Sequence, residues 1–214
     1  MTEVASFTFN PFQENTYIVY DETGECVIFD PGCSNKTEQD SLLTFIKDKK
    51  LQPVRLINTH CHIDHILGNA FVAETFGLEL EIHEGEDQVL RQGPLVADMY
   101  GIAYTSVSPE PARFIEEGEE IKFGNTTLKA LFTPGHSPAS LSFYCEKDAF
   151  VIAGDVLFFQ SIGRTDLPGG DFDTLAKSIK EQLYTLPDDV IVYSGHGPKT
   201  RIGYEKHNNQ FVRP

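Results

Sequence analysis

Short apolar runs alternate with longer amphipathic ones along this chain. Residues 4–9, 16–20 and 26–29 read as three early strands, the last two parted by the turn residues Asp21-Glu22-Thr23-Gly24. In residues 36–50 the apolar positions Leu42, Leu43 and Ile46 recur at helical spacing. A strand at 55–58 is followed by a helix at 67–76, with Ala70, Phe71 and Ala73 available for packing, and by a short strand at 79–83. Residues 84–99 predict one helix, weakened in its middle by Gly93-Pro94. The chain then turns β-rich, with strands at 121–123, 127–132, 141–144 and 150–153. Beyond a glycine-rich loop, Phe172, Leu175, Ala176, Ile179, Leu183 and Leu186 share one helical face, and Asp171 or Asp173 is placed to cap it. A strand at 190–193 and a short helix at 201–208 close the pattern. Strands interleaved with helices predict helix-covered sheets, and the early meander predicts mixed sheets rather than one parallel sheet.

Composition narrows the classes of function. A chain of 214 residues suits one domain, two at most. With 17 basic against 32 acidic residues, the net charge of −15 repels phosphate backbones and anionic lipid surfaces. Nucleic-acid and membrane partners are therefore not expected. No apolar run approaches the roughly 18 residues of a spanning helix. The start, Met1-Thr2-Glu3-Val4-Ala5-Ser6, has neither the basic nor the apolar part of a secretion signal, so a cytoplasmic location is expected. Cys26, Cys33, Cys61 and Cys145 show no CxxC spacing and are expected to be small buried residues in a reducing compartment. Nothing in the pattern specifies an oligomeric state.

The chemistry concentrates in Thr59-His60-Cys61-His62-Ile63-Asp64-His65, which holds three of the seven histidines. Burying three imidazoles beside a carboxylate without partners would cost several kcal/mol, so this density points to metal ligation. His60 and His62, two apart in an extended segment, point the same way. Position adds a second signal. His60 follows the strand at 55–58, His136 follows 127–132, Asp155 follows 150–153, and His196 follows 190–193. Four apolar strands thus each deliver a ligand-type side chain just past the carboxyl end, where α/β architectures bind ligands. Five histidines (His60, His62, His65, His136, His196) and two aspartates (Asp64, Asp155) are too many for one tetrahedral ion and suit two. Such donors suit zinc, and iron, manganese or nickel fit the same set. His83 and His207 have no such context and read as surface or packing residues.

These motifs resemble the HxHxDH signature of the metallo-β-lactamase superfamily. Residues Asn10-Pro11-Phe12-Gln13-Glu14-Asn15-Thr16-Tyr17, Asp30-Pro31-Gly32, Thr133-Pro134-Gly135-His136-Ser137 and Ser194-Gly195-His196-Gly197-Pro198 resemble its other motifs in order. The resemblance covers nearly the whole chain. It implies an α/β fold, a four-layer αββα sandwich of two mixed β-sheets, as one catalytic domain over residues 1–214. It also implies two divalent ions, one on His60, His62 and His136, the second on Asp64, His65 and His196, with Asp155 bridging.

Within the superfamily the chain is most similar to short bacterial glyoxalase II-like hydrolases, which cleave acylglutathione thioesters. The segment Ile162-Gly163-Arg164-Thr165-Asp166 carries that likeness, and Arg164 stands where longer enzymes hold glutathione with a lysine. The helical C-terminal extension that binds glutathione in those enzymes is not expected here. The implied reaction is thioester hydrolysis of a small-molecule substrate such as S-lactoylglutathione, by a hydroxide bridging the two ions, with Asp64 and Asp155 as the catalytic carboxylates. A thiol with a pKa near 8.5 leaves without a strong general acid. The main alternative is a mononuclear iron persulfide dioxygenase, whose relatives bind iron through positions matching His60, His136 and Asp155. A β-lactamase is disfavoured by the missing secretion signal, and a ribonuclease Z-type activity by the acidic charge. A non-catalytic metal module is disfavoured because His and Asp ligands without thiolates suggest positions open to water.

Overall fold

Strands rich in β-branched and aromatic residues build a mixed sheet in the first half of the chain. The computed structural model describes residues 1–214 as two compact units, residues 1–114 with 122–126 and residues 115–121 with 127–214. In the first unit β1 (Glu3–Phe9) and β2 (Glu14–Tyr20) form an antiparallel hairpin, Glu3 opposite Tyr20 and Phe9 opposite Glu14. Strand β3 (Glu25–Phe29) runs antiparallel to β2, while β4 (Gln52–Ile57), β5 (Leu80–Ile82) and β6 (Pro111–Phe114) add in parallel in the order β1-β2-β3-β4-β5-β6. Strand β6 lies outside the predicted pattern, because its four residues carry no alternation.

Helix α1 (Lys36–Lys49) joins β3 to β4; Asn35 caps it by accepting from the Glu38 amide, and Leu42 and Ile46 are its buried positions. The helix expected at 67–76 forms from Asn69, and a further short helix precedes it. A short α2 (Ile63–Ile66) and α3 (Asn69–Phe76) are separated at Gly68, whose amide donates to the Pro31 carbonyl at 2.7 Å. A Cβ there would lie 2.4 Å from Cys33 Sγ and 2.6 Å from the Pro31 oxygen, so only glycine permits the approach. The single helix expected at 84–99 is broken. A 3-10 turn (Glu84–Glu86) leads into α4 (Asp87–Arg91), and a separate α5 (Gly93–Tyr100) begins at Gly93-Pro94. Proline lacks an amide hydrogen and fits the first turn of a helix, so it starts α5 instead of merely weakening a longer helix. Ile18, Ile28, Leu42, Leu56, Ile66, Val72 and Leu80 form the core of this unit.

The second sheet is built from β7 (Glu120–Phe123), β8 (Thr126–Phe132), β9 (Leu141–Cys145) and β10 (Phe150–Gly154). A small hairpin, β11 (Leu157–Phe158) with β12 (Ser161–Ile162), and helix α6 (Phe172–Ser178) precede β13 (Ile191–Ser194), β14 (Thr200–Arg201) and α7 (Ile202–Asn208). The order is β14-β13-β10-β9-β8-β7. Strand β10 is parallel to β13 and antiparallel to β9, and β9 is antiparallel to β8. Strands β8, β10 and β13 therefore all point the same way, and their carboxyl ends share one edge of the sheet. Asp171, not Asp173, caps α6, accepting from the Thr174 amide at 2.8 Å. That helix passes into a π-helical turn, Ile179–Leu183, which turns Leu175, Ile179 and Leu183 into the core. Phe172, expected on the same apolar face, instead lies 46% exposed.

Candidate metal centre

In the first unit, Asp30 follows β3 and the segment 58–62 follows β4, so parallel pairing brings both to the same end of the sheet. The Asp30 carboxylate is buried and organises what surrounds it. Its Oδ1 accepts from the Thr59 amide at 2.6 Å and from Asn58 Nδ2 at 3.4 Å. Its Oδ2 accepts from Thr59 Oγ1 at 2.6 Å and stands 3.2 Å from His65 Nδ1. Thr59 Oγ1 has given its only hydrogen to Asp30, so in its 3.1 Å contact with His60 Nδ1 it accepts. Through Thr59 the carboxylate thus fixes the His60 ring with the proton on Nδ1 and the lone pair on Nε2. His65 Nε2 stands 3.6 Å from Asp64 Oδ2, and the His60 ring lies 4.1 Å from that of His65 and 4.9 Å from that of His62.

Buried polar side chains pin the segment that carries these donors. Glu86 Oε2 accepts from the Cys61 amide at 2.9 Å, and Asn10 Nδ2 donates to the Asp64 carbonyl at 2.9 Å. Asn69 Nδ2 donates to Asn58 Oδ1 at 2.7 Å, while Asn58 Nδ2 donates to the His65 carbonyl at 3.0 Å. Burial pushes the Cys61 thiol well above its ordinary range. All four cysteines are buried thiols, in accord with the sequence.

In the second unit the edge shared by β8, β10 and β13 delivers His136, Asp155 and His196. Asp155 Oδ2 lies 3.4 Å from Nε2 of both histidines. His136 Nδ1 is 2.8 Å from the Arg164 carbonyl, which can only accept, so Nε2 carries the lone pair in the neutral ring. Two glycines make the approach possible. A Cβ on Gly163 would lie 1.9 Å from the Asp155 carbonyl oxygen, and one on Gly135, at φ +124°, would lie 2.2 Å from the Leu175 nitrogen in α6.

The donor chemistry fits a divalent cation. A cation shared by the Asp155 oxygen and the two Nε2 atoms would turn these contacts into coordination. The spacing agrees, because two donors each about 2.1 Å from a tetrahedral ion stand about 3.4 Å apart.

The expected site residues therefore fall into two sets. His60, His62, Asp64 and His65 cluster in the first unit, and His136, Asp155 and His196 in the second. Arg164, expected to meet substrate, pairs through Nε and Nη2 with both Asp166 oxygens at 2.7 Å, holding that carboxyl down to about 2. Its backbone carbonyl, not its guanidinium, touches a ligand. His83 caps the 3-10 turn by accepting from the Gly85 amide, and His207 is exposed. The sequence alone assigns no role to Asp30, Thr59, Asn10 and Glu86. Asn10, Asp30 and Thr59 have a signal in the motifs that begin with them, and Glu86 has none.

The family model described as "Metallo-beta-lactamase superfamily" matches residues 9–196. A probable metallo-hydrolase, YqgX, of Bacillus subtilis is 40% identical over 94% of this chain and 93% of its own. The hydroxyacylglutathione hydrolase GloC of Haemophilus influenzae is 34% identical over the same shares. Among solved structures, the B3 metallo-β-lactamase BLEG-1 is 36% identical with a TM-score of 0.89, covering 99% of this chain and 100% of its own. TTHA1623, solved in a di-iron-bound form, is 36% identical with a TM-score of 0.87, covering 97% and 100%. Two mixed sheets carrying helices, with the His and Asp motifs at their strand ends, agree with these relatives: the chain belongs to the metallo-β-lactamase superfamily and has its fold.

Proposed function

We propose that this metallo-hydrolase superfamily member cleaves thioesters of the hydroxyacylglutathione type as a single catalytic domain over residues 1–214, working in the cytoplasm. Two divalent ions serve it, one held by His60, His62 and His136 and one by Asp64, His65 and His196, with Asp155 shared. The observation that carries this reading is the spacing of 3.4 Å from Asp155 Oδ2 to each of two imidazole nitrogens, matched by 3.6 Å between Asp64 and His65. The GloC relative supports the substrate class, and the di-iron form of TTHA1623 supports two ions over a mononuclear iron centre. The donors suit zinc, and iron is the other ion to assay.

Bound divalent ions supply Lewis acidity, bringing a water towards deprotonation near neutral pH and polarising a carbonyl. The chain's part is orientation. Asp30 acting through Thr59, and the Arg164 carbonyl, keep protons on the Nδ1 atoms of His60 and His136, so each Nε2 stays a donor. A thiolate of pKa near 8.5 departs without a protonating residue, consistent with a centre that has no side-chain general acid beyond these groups. Arg164, on an exposed loop, would exchange Asp166 for a substrate carboxylate.

The test is His62→Ala. Hydrolysis of S-lactoylglutathione should fall at least about a thousandfold, with the circular dichroism spectrum retained. Unchanged turnover rules out the site. One iron per chain with oxygen uptake on a glutathione persulfide would replace the hydrolase by a dioxygenase. The similarity to BLEG-1 makes β-lactam turnover the control reaction, and a higher kcat/KM there would overturn the substrate class.

A further inference from the structure

The second unit carries a cationic and aromatic groove that the proposed chemistry does not use. After His196 the chain turns through Gly197-Pro198 and returns along β13, with Thr200 opposite Val192 and Arg201 opposite Ile191. Lys199 and Arg201, two apart in an extended segment, share one face. Lys199 Nζ lies 5.8 Å from the Tyr193 ring centroid, and Arg201 Nη1 is anchored on the Asp189 carbonyl at 2.8 Å. Beside them Phe159 and Tyr204 stack, with ring centroids 5.2 Å apart and planes 16° from parallel. Both rings are exposed, at 44% and 37%, and Tyr204 is fixed by a hydrogen bond from Gln160 Nε2 to its hydroxyl. Phe159, Ile191, Lys199, Arg201 and Tyr204 line a groove of about 280 Å³.

Two cations beside two exposed aromatic faces stand out in a chain of net charge −15. Flat rings with neighbouring Arg or Lys are what a nucleobase and its phosphates select. The groove also continues from the metal ligands along the backbone. Phe158, which neighbours Phe159, packs edge-on against the His196 ring with centroids 6.3 Å apart, and Ser194 Oγ ties β13 to the Leu157 carbonyl at 2.7 Å. Arg201 lies opposite Ile191, five residues before His196 along the chain, a span of up to about 16 Å. A pantetheine-type arm covers it.

We propose that this groove binds the nucleotide end of a thiol carrier, so that the substrates also include a thioester of a phosphorylated adenine nucleotide carrying a long thiol arm. The proposal rests on the thioester-hydrolase reading, and two measurements keep the failures apart. The first is equilibrium binding of adenosine 3′,5′-bisphosphate to the metal-loaded protein, which needs no turnover. Binding should be measurable and should weaken on the order of tenfold or more in K199E/R201E, with K199Q/R201Q intermediate. No binding, or the same affinity in both variants, overturns the proposal. The second is the ratio of kcat/KM for lactoyl-coenzyme A to that for lactoyl-pantetheine. The ratio should exceed about ten and fall towards one in K199E/R201E; a wild-type ratio of one overturns the proposal. Charge-dependent bisphosphate binding with no hydrolysis of any thioester would uphold the groove and refute the hydrolase.

Discussion

Replacing Asp30 by Asn removes one charge and turns one acceptor into a donor, at a carboxylate 1% exposed. Oδ1 already serves the Thr59 amide and Asn58 Nδ2, and Oδ2 serves the Thr59 hydroxyl with His65 Nδ1 standing 3.2 Å away. If the new amide nitrogen takes the Oδ1 place, it faces a backbone N–H that cannot reverse. If it takes the Oδ2 place, the Thr59 hydroxyl must rotate to accept, and the His60 ring then moves its proton to Nε2, where the metal lone pair is needed. Either way one buried donor loses its acceptor, at about 1–3 kcal/mol, and the remaining bonds lose charge assistance worth about 1 kcal/mol. The expected cost is roughly 3 kcal/mol in urea unfolding of the chelated protein. Because Asp30 orients His60, metal affinity should also fall about 10–100-fold in competition with a chromophoric chelator. A D30N protein within about 0.5 kcal/mol of wild type, with unaltered metal affinity, would refute the tautomer argument.

Other expectations follow from single contacts. Gly135→Ala puts a Cβ 2.2 Å from a backbone nitrogen at a φ of +124°, so it should cost about 3 kcal/mol or more and be read in the urea midpoint. A wild-type midpoint would mean that the loop before His136 can shift. Burial raises the Asp21 pKa, but hydrogen bonds from Thr23, Thr126 and Asn125 outweigh it and leave the value below the ordinary 3.8. Its folded-state value is the lower one, so the stability it contributes is present above about pH 4 and lost as pH falls through the depressed value. Asp21→Asn should therefore flatten that part of the stability profile between about pH 5 and 2; an unchanged slope there would assign the acid sensitivity to other carboxylates.

The clustering of His and Asp side chains was legible because imidazoles in that density are costly to bury without partners, and because apolar strands marked the positions of His136, Asp155 and His196. The supporting residues were not. Asp30 reaches Thr59 and His65 across 29 and 35 residues, and Glu86 reaches Cys61 across 25, so no local period reports them. The Arg164 carbonyl carries no side-chain signal at all, which is why the guanidinium drew attention instead. The short helix before Gly68 came from tertiary approach and the break at Gly93 from proline chemistry, neither of which apolar periodicity registers. Strands β6, β11, β12 and β14 hold four residues or fewer, too short for alternation to register.

The central claim is that His60, His62, Asp64, His65, His136, Asp155 and His196 together hold two cations. Metal analysis of the protein after saturation and removal of excess ion tests it most directly. The account predicts two ions per chain in wild type, with fewer in Asp155→Ala while the circular dichroism spectrum is retained. A wild-type protein that keeps one ion or none, or an Asp155→Ala variant that still keeps two, would contradict it.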